Sequence, residues 1–274
     1  MIVEPFQQGD IPGFLDLAAR EGWIAEAWEF DFLLAVFPGG CFTARDREGT
    51  PRGYVTSIRH ERSGWIGNLI VDEQSRGRGI GAALFRRALD ALRSAGSATC
   101  WLTASPSGKS LYEKYGFVTT DTIIRWCGTG RQRYAPSLPT RDNPEAALSY
   151  GGVDLMAWGD RRNLLLQEVV GRGTMLIEDN GFLVVQTSGG DRQFGPFAAL
   201  DCGCAARLFD EALAVVPKGG RYCMDVPLSN RSAARMLQRR GARELGSAEL
   251  MYAGARPDYR GEYLYGLATM GSCG

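Results

Sequence analysis

Histidine is almost missing from this chain: His60 is the only one in 274 residues. A metal site built on imidazoles or a Ser-His-Asp triad therefore has nothing to draw on. An excess of one charge is lacking too, with Lys+Arg and Asp+Glu at 31 each and a formal net charge of zero. A balanced chain makes no broad basic field, which argues against nucleic acid or an anionic membrane surface as a partner. No run approaches the roughly 18 apolar residues of a membrane span. The start, Met1-Ile-Val-Glu-Pro, has neither the basic n-region nor the apolar stretch of a secretory leader. The seven cysteines, at 41, 100, 127, 202, 204, 223 and 273, show no zinc-ligand spacing, and Cys202-Gly-Cys204 has no second pair to complete a site. The expectation is a cytoplasmic protein with reduced thiols and no metal.

What is present is an ordinary globular composition, 45% hydrophobic and 23% charged, with room for about two domains. The most informative stretch runs from Ile70-Val71-Asp72 through Glu73-Gln74-Ser75-Arg76-Gly77-Arg78-Gly79-Ile80-Gly81 to Ala82-Ala83-Leu84. It reads as strand, bare-backbone loop and helix. Glycines let a ligand approach the main chain, and the first turn of a helix offers unpaired N–H groups at the positive end of its dipole. The anion suited to such a cradle is a pyrophosphate. A dinucleotide fingerprint can be written over Gly77, Gly79 and Ala82, but the acid it needs about 20 residues further on is absent from Ser97 to Ala104. A P-loop ending in Gly108-Lys109-Ser110 would need glycine where Thr103 stands.

The remaining pattern, Arg76-x-x-Gly79-x-Gly81, resembles the acetyl-CoA signature of the GCN5-related N-acetyltransferase (GNAT) superfamily. A second stretch downstream, Leu111-Tyr112-Glu113-Lys114-Tyr115-Gly116-Phe117, is similar to that family's other signature, a short helix bringing a Tyr to the CoA sulfur. The resemblance implies an acetyl-CoA-dependent N-acetyltransferase acting on a primary amine of a small molecule by direct attack on the thioester. Tyr112 would protonate the leaving thiolate. Ile70, Val71, Asp72, Arg76, Gly77, Arg78, Gly79, Ile80, Gly81, Ala82 and Ser105 would hold the co-substrate, with Ser105 standing where the family often has Asn. In that fold the first two helices wall the acceptor site. Here Trp23, Glu26, Trp28 and Glu29 would make it acidic and aromatic, a surface that attracts ammonium groups. Glu26, Glu29, Asp72 and His60 are the candidates for a base. The alternative is a non-catalytic acyl-CoA-binding or regulatory module, and a nicotinamide-binding oxidoreductase stands as a third class.

Along the chain, the pattern predicts a strand Ile2–Phe6, a helix after an Asp10 cap, a helix Glu26–Phe37, and strands Cys41–Asp46, Gly53–His60 and Trp65–Asp72. A helix Gly79–Ala95, a parallel strand Ala98–Thr103 and a short helix Lys109–Tyr115 follow. Gly128 to Pro144 reads as a linker, after which the element order starts again: a helix near 161–170, a hairpin, an Asp201-capped helix, a strand 221–226, a helix 230–240 and a strand 245–252. The expected fold is α/β (α+β): two tandem GNAT-like domains, each a mixed, mostly antiparallel sheet flanked by helices with a splayed parallel strand pair. Residues 1–128 would be catalytic, 129–148 a linker and 149–274 a degenerate copy. The second copy has no matching glycine series in Ala198 to Cys204 and puts Leu237 in the Tyr position, so it should act as scaffold or as a second wall of the acceptor cleft. A monomer or a homodimer is expected.

Overall fold

The structure, a computed structural model, describes residues 1–130, 146–269 and 271–274, and only the backbone of 146–149. The first half opens with the expected strands, paired as an antiparallel meander. β1 (Ile2–Pro5), β2 (Phe42–Arg45), β3 (Pro51–Arg59) and β4 (Ser63–Val71) pair antiparallel in that order. α1 (Ile11–Arg20), with Pro12 in its first turn, and α2 (Ala27–Val36) lie between β1 and β2. Asp10 does not cap α1. Its carboxylate accepts hydrogen bonds from the Gln7 amide, the Thr43 hydroxyl and the Arg45 guanidinium, tying the helix to β2.

α3 (Ile80–Ser94) buries Ile80, Leu84, Phe85, Ala88 and Leu92 at helical spacing and returns the chain to β5 (Thr99–Ala104), parallel to β4. The parallel pairing covers Ser63–Thr99, Gly64–Cys100 and Trp65–Trp101, and then the two strands part. α4 (Lys109–Glu113) leads into β6 (Val118–Thr129). The sequence pattern predicts no strand there, and the expected linker begins at 129. Most of that linker, 131–145, lies outside the described residues.

The second half contains α5 (Ala146–Trp158), α6 (Asn163–Arg172), β7 (Thr174–Glu178), β8 (Gly181–Ser188), β9 (Asp191–Ala199), α7 (Cys202–Ala214), β10 (Arg221–Pro227), α8 (Arg231–Arg239), β11 (Arg243–Gly254) and β12 (Leu264–Gly266). Asp201 does cap α7, accepting from the Cys204 amide at 2.8 Å. α5 and β12 have no counterpart in the sequence reading.

The halves are not separate beads. The sheet runs β1-β2-β3-β4-β5-β11-β6-β10-β9-β8-β7, so β11 of the second half is inserted between β5 and β6, while β6 pairs on its other edge with β10. Each half therefore supplies an inner strand to the other. That exchange sets Cys127 of β6 directly opposite Cys223 of β10, and the two form a disulfide, in place of the reduced thiols expected. Where the halves meet, Trp65, Trp101 and Trp158 pack as one buried aromatic cluster. Arg162 stacks over the Trp158 ring at 4.4 Å and is paired, fully buried, with Asp154 at 2.6 Å.

The second half has its own splayed pair. β9 and β10 meet at Tyr222–Arg192 and Cys223–Gln193 and then diverge. The gap between them is filled by the chain itself. β12 pairs antiparallel with β9, Leu264 with Ala198 and Gly266 with Phe197, and the Leu267 amide donates to the Asp225 carbonyl on β10. Gly195 is what permits this close approach, since a Cβ there would lie 1.9 Å from the Leu267 carbonyl oxygen. Gly195→Ala should therefore lower stability by about 1–3 kcal/mol or more. Gly151→Ala, at a helical position with open space around it, should not. Urea midpoints of the two variants check this.

His60, the first residue of the β3–β4 connection, is buried, and burial together with the neighbouring Arg162 guanidinium pushes its pKa down from 6.5 to about 3. Between those values the unfolded chain takes up a proton that the folded chain refuses, so stability falls as pH drops below 6.5. From pH 7.5 to 5 this one group should remove about 2 kcal/mol. Denaturant titrations at the two pH values should show that loss in the wild type and a smaller one in His60→Gln.

Candidate active site

The loop after β4 forms because Asp72 and Ser75 close a turn: the Ser75 amide donates to the Asp72 carbonyl at 2.8 Å and its hydroxyl to the Asp72 carboxylate at 3.3 Å. Gly77 and Gly79 then take φ of 75° and 78°, a region open to glycine and costly for residues with a Cβ. Gly79 has no side chain with which to cap α3, and the Ala83 amide closes the first helical bond, on the Gly79 carbonyl. The amides of Ile80, Gly81 and Ala82 thus lack helical partners. A Cβ at Gly77 or Gly79 would meet nothing within 4 Å, so open space stands over this turn. Exposed Arg78 has no acidic partner among the described residues. Arg76 has two partners: its Nε donates to the Val71 carbonyl at 3.0 Å, and its guanidinium pairs with Glu21 at the end of α1. These features suit an extended diphosphate. Past Trp65, no strand among the described residues pairs with the edge of β4 that faces β5, although the Val71 carbonyl is already engaged by Arg76. A positive φ at Asn68 and the register shift beside it bulge β4 at this point.

The opening between β4 and β5 leads to a cavity of about 250 Å³. From β4 it is lined by Ile66, Gly67, Asn68 and Leu69, from β5 and the turn after it by Thr103 and Ser105, and from α4 by Tyr112. Tyr112 packs its ring on Phe85 of α3 at 4.9 Å, while its hydroxyl makes no hydrogen bond among the described residues. Burial pushes its pKa up to about 12, so the phenol stays protonated at neutral pH. Tyr115 packs edge-on against the same Phe85 ring and does not line the cavity. Ser105 shares a hydrogen bond with Ser107 at 3.0 Å.

The connection between α1 and α2 makes the opposite wall with Trp23, Ile24 and Ala25, followed by Glu29 of α2. Trp23 and Ile24 are exposed at the rim. Glu29 is half-buried, and desolvation, helped by the nearby Glu26 charge, raises its pKa from 4.5 to about 7. The other two acceptor-site candidates face elsewhere. Glu26 accepts a hydrogen bond from the Gly189 amide in the β8–β9 turn at 2.7 Å, and Trp28 lies under the Arg172 guanidinium at 5.0 Å. Both tie the wall to the second half. Asp72 braces the glycine loop, and His60 is not among the cavity residues.

The second half also lines the cavity, through Ala248 of β11 and Gly271 and Ser272 of the segment that follows β12. Arg125 of β6 joins them, held by a two-point ion pair with Asp225 at 2.7 and 2.8 Å. The Trp65 indole donates to the Gly271 carbonyl at 3.1 Å, and a Cβ on Gly67 would come within 2.3 Å of the Ser272 carbonyl oxygen. Sequence reading found none of these four. No local motif marks them; on the β4 side, Asn68, a residue tolerant of positive φ, is also missed and carries only that trace of its role. In the second half, the Asp201 carboxylate caps the Cys204 amide in the first turn of α7, where α3 has no side-chain cap, and β12 occupies the strand gap. Among the described residues no helix is long and apolar enough to cross a membrane, and no cluster of three or more His, Cys, Asp or Glu could hold a metal ion.

Comparison with known proteins agrees with this geometry. Residues 38–119 and 152–266 each match a family described as "Acetyltransferase (GNAT) domain". "Holothin acyltransferase" of Pseudoalteromonas sp. (strain SANK 73390) is 26% identical over 271 residues, covering 92% of this chain and 89% of the relative. "Uncharacterized N-acetyltransferase YitH" of Bacillus subtilis (strain 168) is 24% identical over 270 residues, 94% of each. Among solved structures, a putative acetyltransferase from Pyrococcus horikoshii superposes with a TM-score of 0.86 at 23% identity, over 100% of this chain and 95% of that one. A GCN5-related N-acetyltransferase from Sphaerobacter thermophilus gives 0.69 at 17% identity, over 98% of each chain. The likeness of these two extends to the fold. The chain belongs to the GCN5-related N-acetyltransferase (GNAT) family and carries two of its domains in tandem.

Proposed function

We propose that the protein transfers an acetyl group from acetyl-CoA to the primary amine of a small molecule, with residues 1–128 carrying the chemistry and residues 149–274 completing the acceptor wall. The observation that carries this reading is that the Tyr112 phenol and the open edge of β4 border one cavity, beside a helix start with free amides. The diphosphate would rest on the amides from Gly77 to Ala82 with Arg78 adding charge, and the pantetheine arm along Ile70, Val71 and Asp72, as an added strand does. The thioester supplies an activated acyl group there. Tyr112, protonated at neutral pH, is the donor for the leaving thiolate.

A small acceptor is supported by the size of the cavity and by the segment Gly271–Ser272 along one side of it. Trp23 at the rim and Glu29 within favour a cationic amine. The name of one relative, which covers 92% of this chain, assigns it acyl transfer to holothin, and this supports acyl transfer as the reaction class. The second half, with capped amides and a filled gap, would hold no second acetyl-CoA.

Thiol release from acetyl-CoA should therefore appear with at least one member of a panel of amines, amino acids and aminoglycosides. Tyr112→Phe should lower kcat by about 10²- to 10⁴-fold with little change in CoA affinity. Unchanged turnover would remove Tyr112 from the mechanism, and binding of acetyl-CoA without thiol release from any amine would point to a binding module instead. Calorimetric titration with CoA should give one site per chain, and a second site of similar affinity would contradict the reading of the second half.

A further inference from the structure

Glu29 is an expensive residue to have where it is. It sits on α2, turned into the cavity that Tyr112 borders from the other side, and among the described residues no Arg or Lys lies within ion-pair distance of it. Desolvating a carboxyl without a counter-charge works against folding. The groups around it leave it uncompensated. Glu26 adds like charge from the start of the same helix, and Cys273, whose own pKa burial raises well above 9, lies close by on the segment after β12. The Ser272 hydroxyl, buried and without a hydrogen bond of strict geometry, draws the Glu29 pKa part of the way back down. Arg125, the cation that borders the cavity, is committed to Asp225.

We infer that Glu29 is the base of the transfer reaction, taking the proton from the acceptor's ammonium group before attack. This rests on the acyl-transfer reading above. The proton passes from R–NH₃⁺ to the Glu29 carboxylate and on to solvent. The free amine then adds to the thioester carbonyl, forming the C–N bond. As the C–S bond breaks, the thiolate takes the Tyr112 proton, and the proton still on the new amide nitrogen restores the Tyr112 phenol. The net release is one proton per turnover. A base whose conjugate acid titrates near neutrality is matched to this task at physiological pH, and the value of about 7 for Glu29 fits. The wall of the second half, through Ser272, thus helps set the working range of a group that belongs to the first.

The test is the pH dependence of kcat/KM at saturating acetyl-CoA for wild type, Glu29→Gln and Glu29→Asp, using an amine from the panel whose own pKa is known. Wild type should show an acid limb with an inflection near 7 in addition to the titration of the amine. Glu29→Gln should lose that inflection and about 10²- to 10⁴-fold in rate at pH 8 while binding CoA as before, and Glu29→Asp should keep an inflection at a displaced pH. Carboxyl carbon NMR of glutamate-labelled protein should show one resonance titrating near 7 that is absent from Glu29→Gln. If wild type releases thiol and Glu29→Gln keeps both the inflection and the rate, the assignment of Glu29 falls and the reaction class stands. If no amine supports thiol release in wild type, the reaction class falls and the assignment falls with it.

Discussion

The insertion of β11 between β5 and β6 is the constraint from which the rest of the architecture follows. By pairing with β5 on one side and β6 on the other it turns two sets of strands into one sheet. It makes β6, the last strand of the first half, a partner of β10 in the second. Arg125 is held at the cavity by Asp225 only because those two strands lie side by side, and Cys127 meets Cys223 for the same reason. Parting the halves would break three strand pairings, β5–β11, β11–β6 and β6–β10, and open the Trp65–Trp101–Trp158 cluster.

Within that unit the same strand–helix–strand device is built twice with opposite outcomes. In both halves a parallel pair starts together and splays. In the first, the helix start is bare and the strand gap leads to a cavity. In the second, a carboxylate satisfies the helix start and a strand of the chain's own fills the gap. The segment that fills the second gap continues to Gly271 and Ser272, which border the first cavity. One stretch of chain therefore closes one site and shapes the other, which gives a physical reason to keep a second domain without the glycine series.

The charges in the cavity are few and unequal. One carboxyl stands without a counter-ion, one phenol is kept protonated by burial, and one guanidinium is neutralised in advance by its own aspartate. A cationic acceptor entering such a space meets a single uncompensated negative charge, and that charge can exchange a proton near neutral pH.

Much of the first domain was legible in the linear chain, because its signals are local. Short β-prone runs between turn residues mark β3 and β4, helical spacing marks α3, and Gly77 and Gly79 ahead of that helix, with Gly81 in its first turn, announce bare amides whatever surrounds them. The repeat of element order told of a second domain, and Leu237 and the missing glycine series told of its departure. Tertiary structure decided what depends on residues distant in sequence meeting in space. Sheet pairing can join any two strands of suitable pattern, so nothing in 118–129 or 243–254 reveals that they exchange halves, and nothing in Leu264–Gly266 reveals that it fills a gap. The four aromatic and acidic candidates on the α1–α2 wall are alike in sequence. Only the fold separates Trp23 and Glu29, which face the cavity, from Glu26 and Trp28, which face the second half, because burial and its effect on a carboxyl belong to the surroundings and not to the residue.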